Sequence, residues 1–260
     1  MKLWSNYASE FFSKTTYNRY IDRRQMYKIA IDKTEVNSLP QVVFPGKVVV
    51  IDSMFQLKAA VDVLRKADVV GFDTETRPSF RKGEHHKVAL IQLSTSDICF
   101  LFRVNKIGVP QVLADYLADD HCLKIGLSTQ DDFRQLSKVT DLAPGGFVEL
   151  QKMVGRYNIS DISLQKIFAI LFNQKISKSQ RLTNWECESL TDSQQRYAAI
   201  DAWACVKIYE YLIQGEFNPE TSPYKKEIEK EEQNKYVGIR AFVFAPVSVR
   251  DGMAGSRAFS

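Results

Sequence analysis

Two apolar runs joined by a three-residue turn constrain this chain most. Val88-Ala89-Leu90-Ile91-Gln92-Leu93-Ser94 and Ile98-Cys99-Phe100-Leu101-Phe102 flank Thr95-Ser96-Asp97. Each run has the length of a strand. A turn this short returns the chain antiparallel, because a parallel crossover needs a dozen or more residues. A third run, Asp68-Val69-Val70-Gly71-Phe72-Asp73, precedes them and ends in acid. Val48-Val49-Val50-Ile51 is a further strand, and Asp52-Ser53 can cap the segment after it. In that segment Phe55, Leu57, Ala60, Val61 and Leu64 have helical spacing. Downstream, helix-like and strand-like segments alternate at 109–117, 122–126, 132–138, 147–150, 163–172 and 193–214. A hairpin followed by such alternation predicts an α/β protein with a mixed sheet.

These elements place one compact domain at 46–215. Residues 1–45 form a basic, aromatic N-terminal extension, with Phe11, Phe12, Tyr17, Arg19, Tyr20, Arg23 and Arg24 in a stretch that could be helical. Packing on the domain is the plainer role for such a helix; an arm for nucleic acid is the other. Pro40 and Pro45 then read as a turn or linker. Residues 216–260 form a charged C-terminal extension of unassigned role, with a run of both signs at 225–235. Four scattered cysteines and three histidines speak against a disulfide scaffold, a zinc ribbon and chemistry that needs several imidazoles. The net charge of +4 permits a nucleic-acid partner without requiring one. No signal-peptide pattern, bilayer-length apolar run or P-loop occurs in the sequence, which predicts an intracellular, cytoplasmic protein with no membrane partner and no helicase motor of its own.

Three acidic features stand out. Asp73-Thr74-Glu75 closes a buried strand, so Asp73 and Glu75 project from one face. With 31 acids in 260 residues, roughly four acid-x-acid triplets occur by chance, so the strand end is what singles this one out. Tyr197 and Asp201 share a helix face among Ala198, Ala199, Ala202 and Ala204, which let backbones approach closely. Alone, that pair reads equally well as a surface hydrogen bond. Asp131 or Asp132 sits where a strand passes into a helix, a place where a carboxylate simply suits the helix dipole. Together, Asp73, Glu75, Asp132 and Asp201 put four carboxylates on three elements of one domain. Such oxygen-rich sets suit Mg²⁺ or Mn²⁺. A pair of these ions roughly 4 Å apart can drive phosphodiester hydrolysis, with a Tyr hydroxyl orienting the water.

At these residues the chain resembles the DEDD superfamily of 3′–5′ exonucleases, tyrosine subclass, of the Werner-syndrome type, with ribonuclease D next. Motif I is Val70 to Glu75 followed by Lys87 to Leu93. Motif II is Lys124-Ile125-Gly126 through Asp132 and Leu136. Motif III is Gln195 to Ala202, preceded by Leu182-Thr183-Asn184-Trp185. The resemblance implies an RNase H-like (DnaQ-like) fold, a mixed sheet of five or six strands flanked by helices. It implies two metal ions, Mg²⁺ or Mn²⁺, one held by Asp73, Glu75 and Asp201. Asp73 would bridge to the second, with Asp132 in that ion's shell. It assigns Tyr197, with Glu75, to orienting the attacking water. Asp132 is preferred to Asp131 because Asp-x-x-x-Leu then ends at Leu136. Substrate contacts are expected at Thr74, Thr76, Lys178 and Arg181, with Trp185 in the core. The implied reaction releases 5′ mononucleotides from the 3′ end of DNA, in a setting such as DNA repair, and a helicase could serve in trans.

Three other readings stand beside that one. The same chemistry could act on RNA, since the 2′-OH is sensed by pocket shape. A catalytically silent nucleic-acid-binding domain would be marked by loss of an acid, and all four acids and the tyrosine are present. A small-molecule phosphatase accounts less well for the basic loop around Lys178 and Arg181.

Overall fold

The computed structural model describes residues 27–228. The basic, aromatic stretch at 11–24 and most of the charge run at 225–235 lie outside the described residues. One compact unit runs Ile29–Lys225. In chain order its elements are α1 Lys33–Ser38, β1 Lys47–Ile51, α2 Met54–Leu64, β2 Val69–Thr76, β3 Val88–Ser94, β4 Ile98–Phe102, α3 Val104–Ile107, α4 Gln111–Ala118, β5 Leu123–Gly126, α5 Thr129–Leu136, β6 Phe147–Glu149, α6 Leu150–Val154, α7 Leu164–Phe172 and α8 Asp192–Ile213. No helix among the described residues is long and apolar enough to cross a membrane.

The strands form one six-stranded sheet in the order β1-β4-β3-β2-β5-β6. The hairpin turn sets the direction of β3, which runs antiparallel to β2 and β4. Every other neighbouring pair is parallel. β2 therefore lies inside the sheet, with its acidic end beside the start of α5. Alternation along β2 divides its side chains. Val70 and Phe72 join Leu57, Val61, Leu64, Leu113, Tyr116 and Leu117 in the core under α2 and α4. Gly71, Asp73 and Glu75 take the other face, which α8 covers.

α8 carries 22 residues and starts with a Thr191–Gln194 capping box. It packs closely because its inner face is small: Ala198, Ala199, Ala202 and Ala204 are wholly buried. The closest approach is at Gly71, where a Cβ would lie 1.7 Å from the Ala202 carbonyl oxygen. Only glycine fits there, and the residue next to Ala202 is Asp201.

The compact unit starts well before residue 46. Ile31, Val36, Val42 and Phe44 are buried. Val42 N–H donates to Lys175 C=O at 3.0 Å, and Lys175 N–H donates to Pro40 C=O at 2.9 Å. The Phe44 ring meets Trp203 edge-on at 5.9 Å. A proline lacks a donor but keeps its carbonyl, so the Pro40 segment is pinned rather than free.

Candidate active site

Asp73, Glu75 and Asp201 each offer a carboxylate oxygen, and these oxygens lie within 4.8 Å of one another. β2 supplies the first two at its half-buried end, and α8 supplies the third. The β2–β3 register shifts between Glu75 and Thr76, an irregularity of the kind that re-aims side chains at strand ends. Tyr197, one turn before Asp201, lines a cleft with it and stands close enough to act on the Asp201 carboxylate. Trp185 is fully buried and packs against the Tyr197 ring at 6.0 Å. Asp73, Tyr197, Asp201 and Lys178 line one open cleft of about 150 Å³, together with Leu127, Ser163 and Cys205.

Asp132 stands beside this group rather than inside it. It accepts a hydrogen bond from the Thr74 hydroxyl, across the strand from Asp73. Asp131 points away, exposed and paired with Arg134 at 2.9 Å. The turn of α5 that carries Asp132 is fixed by Glu149 at the end of β6. Its carboxylate accepts from Ser128 N–H at 3.0 Å, from Thr129 N–H at 2.8 Å and from the Thr129 hydroxyl at 3.1 Å. A carboxylate here caps the helix and complements its dipole. Glu149 escapes sequence reading because the β5–β6 pairing brings it to the cap from 20 residues away.

The carboxylates repel one another in a poorly solvated place. Burial holds the Asp73 carboxyl well above its ordinary range, and Asp132, Asp201 and Glu75 raise it further. Burial, then Asp201 and Asp132, push Glu75 up to about 9, against a lowering by Arg181. Asp201 is raised to about 7 by burial, opposed by Tyr197 and Lys178. Asp132 also reaches about 7, through burial, with Thr74 opposing. Near neutral pH several of these groups keep protons that a divalent cation would displace. All the donors are carboxylate oxygens, the set that hard cations prefer, so the residues fit a divalent metal ion.

The expected substrate contacts fall in different places. Lys178 and Arg181 are exposed on the loop between α7 and α8, close enough for their charges to act on Asp201 and Glu75 respectively. Thr76 lies half-buried at the end of β2, and Thr74 commits its hydroxyl to Asp132. The loop bearing Lys178 and Arg181 is clasped further on. Glu186 meets His86 Nδ1 at 3.4 Å and Arg77 at 3.4 Å, and His86 Nε2 also meets Glu84 at 3.0 Å. Buried Arg103 donates to the Cys187 carbonyl, and Lys106 pairs with Glu188 at 2.7 Å. Apart from the local His86–Glu84 pair, these partners stand about 80 to 110 residues apart, so no local pattern announces them.

Comparison with known proteins agrees with this geometry. The family model described as 3′-5′ exonuclease matches residues 48–214. The chain is 32% identical over 186 residues to the bifunctional 3′-5′ exonuclease/ATP-dependent helicase WRN of Mus musculus, covering 68% of this chain and 13% of that protein. The crystal structure of the Aedes aegypti Nibbler EXO domain superposes with a TM-score of 0.58 at 22% identity, covering 75% of this chain and 98% of that one. Escherichia coli RNase D, described as an exoribonuclease involved in structured RNA processing, gives 0.58 at 18% identity, with 77% and 52% covered. The fold is thus shared with these nucleases: a mixed sheet flanked by helices, RNase H-like. The chain spans 13% to 27% of the length of three curated relatives it matches. Since the matched span holds β2, α5 and α8 with all their acids, this chain belongs to the 3′–5′ exonuclease family.

Proposed function

We propose that this chain hydrolyses phosphodiester bonds from the 3′ end of DNA, releasing 5′ mononucleotides, with two Mg²⁺ or Mn²⁺ ions. One observation carries the reading: three carboxylates from two elements converge within 4.8 Å, and two of them, Asp73 and Asp201, line an open cleft beside Tyr197. Asp73, Glu75 and Asp201 would hold one ion; Asp73 and Asp132 would serve the other. When bound, the ions would supply a water of lowered pKa and a counter-charge for the leaving 3′ oxygen.

The chain's own groups do the rest. Tyr197 keeps its proton, since burial and the neighbouring acids raise its hydroxyl above the ordinary tyrosine value. It therefore acts as a hydrogen-bond donor that orients the water, with Glu75 as the acceptor. Thr74 holds Asp132 in place. Lys178 and Arg181 sit where backbone phosphates of the incoming strand would pass, and Thr76 flanks that path.

The preference for DNA over RNA rests on the Werner-type motifs at Asp73, Glu75, Tyr197 and Asp201, and the 32% identity to the exonuclease/helicase supports that likeness. Unwinding would then fall to a helicase acting in trans. Matched single-stranded DNA, recessed-end duplex and RNA, each with Mg²⁺, Mn²⁺ or EDTA, test this. Faster 3′ shortening of either DNA than of RNA is expected; RNA shortened in preference would replace DNA as the substrate.

A further inference from the structure

The β3 strand carries one amide, in a run whose only other polar side chain is Ser94 at its end, and the Ser94 hydroxyl is satisfied by the Thr95 carbonyl. Gln92 lies directly opposite Asp73 in the antiparallel register. Residues paired this way project from the same face, with Cβ atoms roughly 5 Å apart. Gln92 therefore points to the face that bears Asp73 and Glu75 and that α8 covers. It is 0% exposed, and neither Nε2 nor Oε1 has a hydrogen-bond partner within the protein. Its other cross-strand neighbour is Leu101, and Ala89, Leu90, Ile91 and Leu93 around it are buried and apolar.

An unpartnered buried amide is a standing cost to stability. Methionine would fill the same space without it. Gln92 caps no helix and bridges no loops. The ionisable group across the strand from it is Asp73, which the proposed reading makes common to both metal ions.

We propose that Gln92 is a positioning residue of the acidic cage: its side-chain amide, unpartnered in the metal-free chain, donates to the Asp73 carboxylate across the strand when a divalent cation is held, and keeps it in the orientation that binds the ion. This rests on the exonuclease reading. Groups behind metal ligands typically change metal affinity about 10- to 100-fold when removed. A role of this kind also trades stability for function, which separates it from a structural one.

Mn²⁺ serves as the probe, its binding followed by the loss of the free-ion paramagnetic resonance signal. Melting in EDTA is measured beside it on the full chain, with Gln92→Met and Gln92→Asn. Gln92→Met removes the amide and keeps the volume; Gln92→Asn keeps an amide but shortens its reach. Both are expected to bind Mn²⁺ about 10-fold more weakly or worse. Their melting should move oppositely: Gln92→Met up by about 2–4 °C, Gln92→Asn down or unchanged. Mn²⁺ affinity within twofold of the parent in either folded variant would overturn the proposal. So would a lower melting point for Gln92→Met, since the amide would then be structural. A parent chain that neither binds Mn²⁺ nor shortens DNA or RNA would instead overturn the exonuclease reading itself.

Discussion

Tyr197 and Asp201 sit one turn apart, and the tyrosine contributes a donor where its neighbours contribute charge. Removing the hydroxyl should therefore separate chemistry from metal binding. Tyr197→Phe is expected to lose roughly 10²- to 10⁴-fold in turnover, with Mn²⁺ affinity within about threefold of the parent, because no metal ligand is removed. Single-turnover rates beside a Mn²⁺ titration check this; an equal loss in both would make Tyr197 a ligand or a packing residue. Residues of this kind were legible because chemistry and local pattern coincide: acids at the end of an apolar strand, and a Tyr–Asp pair on an alanine-rich helix. Glu149 and Glu186 were not. Each is one acid among 31, and its meaning comes from a partner that only the folded chain supplies. Gln92 stood inside a run read simply as a strand, and only its burial and its lack of a partner single it out.

Close contact between α8 and β2 is what turns two local motifs into one site. Gly71 is the point of contact, and the obstacle a Cβ would meet is backbone rather than a flexible side-chain end. Gly71→Ala should displace α8 from the sheet. Overpacking of this kind costs about 1–3 kcal/mol. For a domain of this size that is a fall in melting temperature of about 2–4 °C per kcal/mol. Metal affinity should fall with it, as Asp201 moves from Asp73. A variant with unchanged melting and unchanged Mn²⁺ binding would show that the contact is not tight. Among elements, the hairpin and the helix–strand alternation were readable because turn length and apolar period are local. The seating of residues 29–45 was not, since it depends on backbone bonds between Pro40, Val42 and Lys175 across more than 130 residues.

At the scale of the whole molecule, the crowded acids couple stability to pH and to metal. Their folded pKa values lie above the unfolded ones, so between the two the folded state holds more protons. Stability from this source is complete below about pH 4 and is lost as pH rises through about 7 for Asp132 and Asp201 and about 9 for Glu75. Melting in EDTA should therefore fall between pH 5 and 9. Added Mg²⁺ or Mn²⁺ should offset the fall increasingly toward high pH, because binding displaces those protons. A melting temperature in EDTA that rises across this window would contradict the crowding.

The central claim is that the convergence of Asp73 and Asp201 makes a metal-dependent exonuclease, and product analysis tests it most directly. Single-stranded DNA labelled at the 5′ end is incubated with Mn²⁺ and the parent chain, Asp73→Asn or Asp201→Asn, and the products are resolved at single-nucleotide steps. The account predicts a ladder that shortens one nucleotide at a time from the 3′ end, with 5′ mononucleotides released, in the parent alone and abolished by EDTA. Shortening that persists in either variant, or internal cuts in place of a ladder, would contradict it.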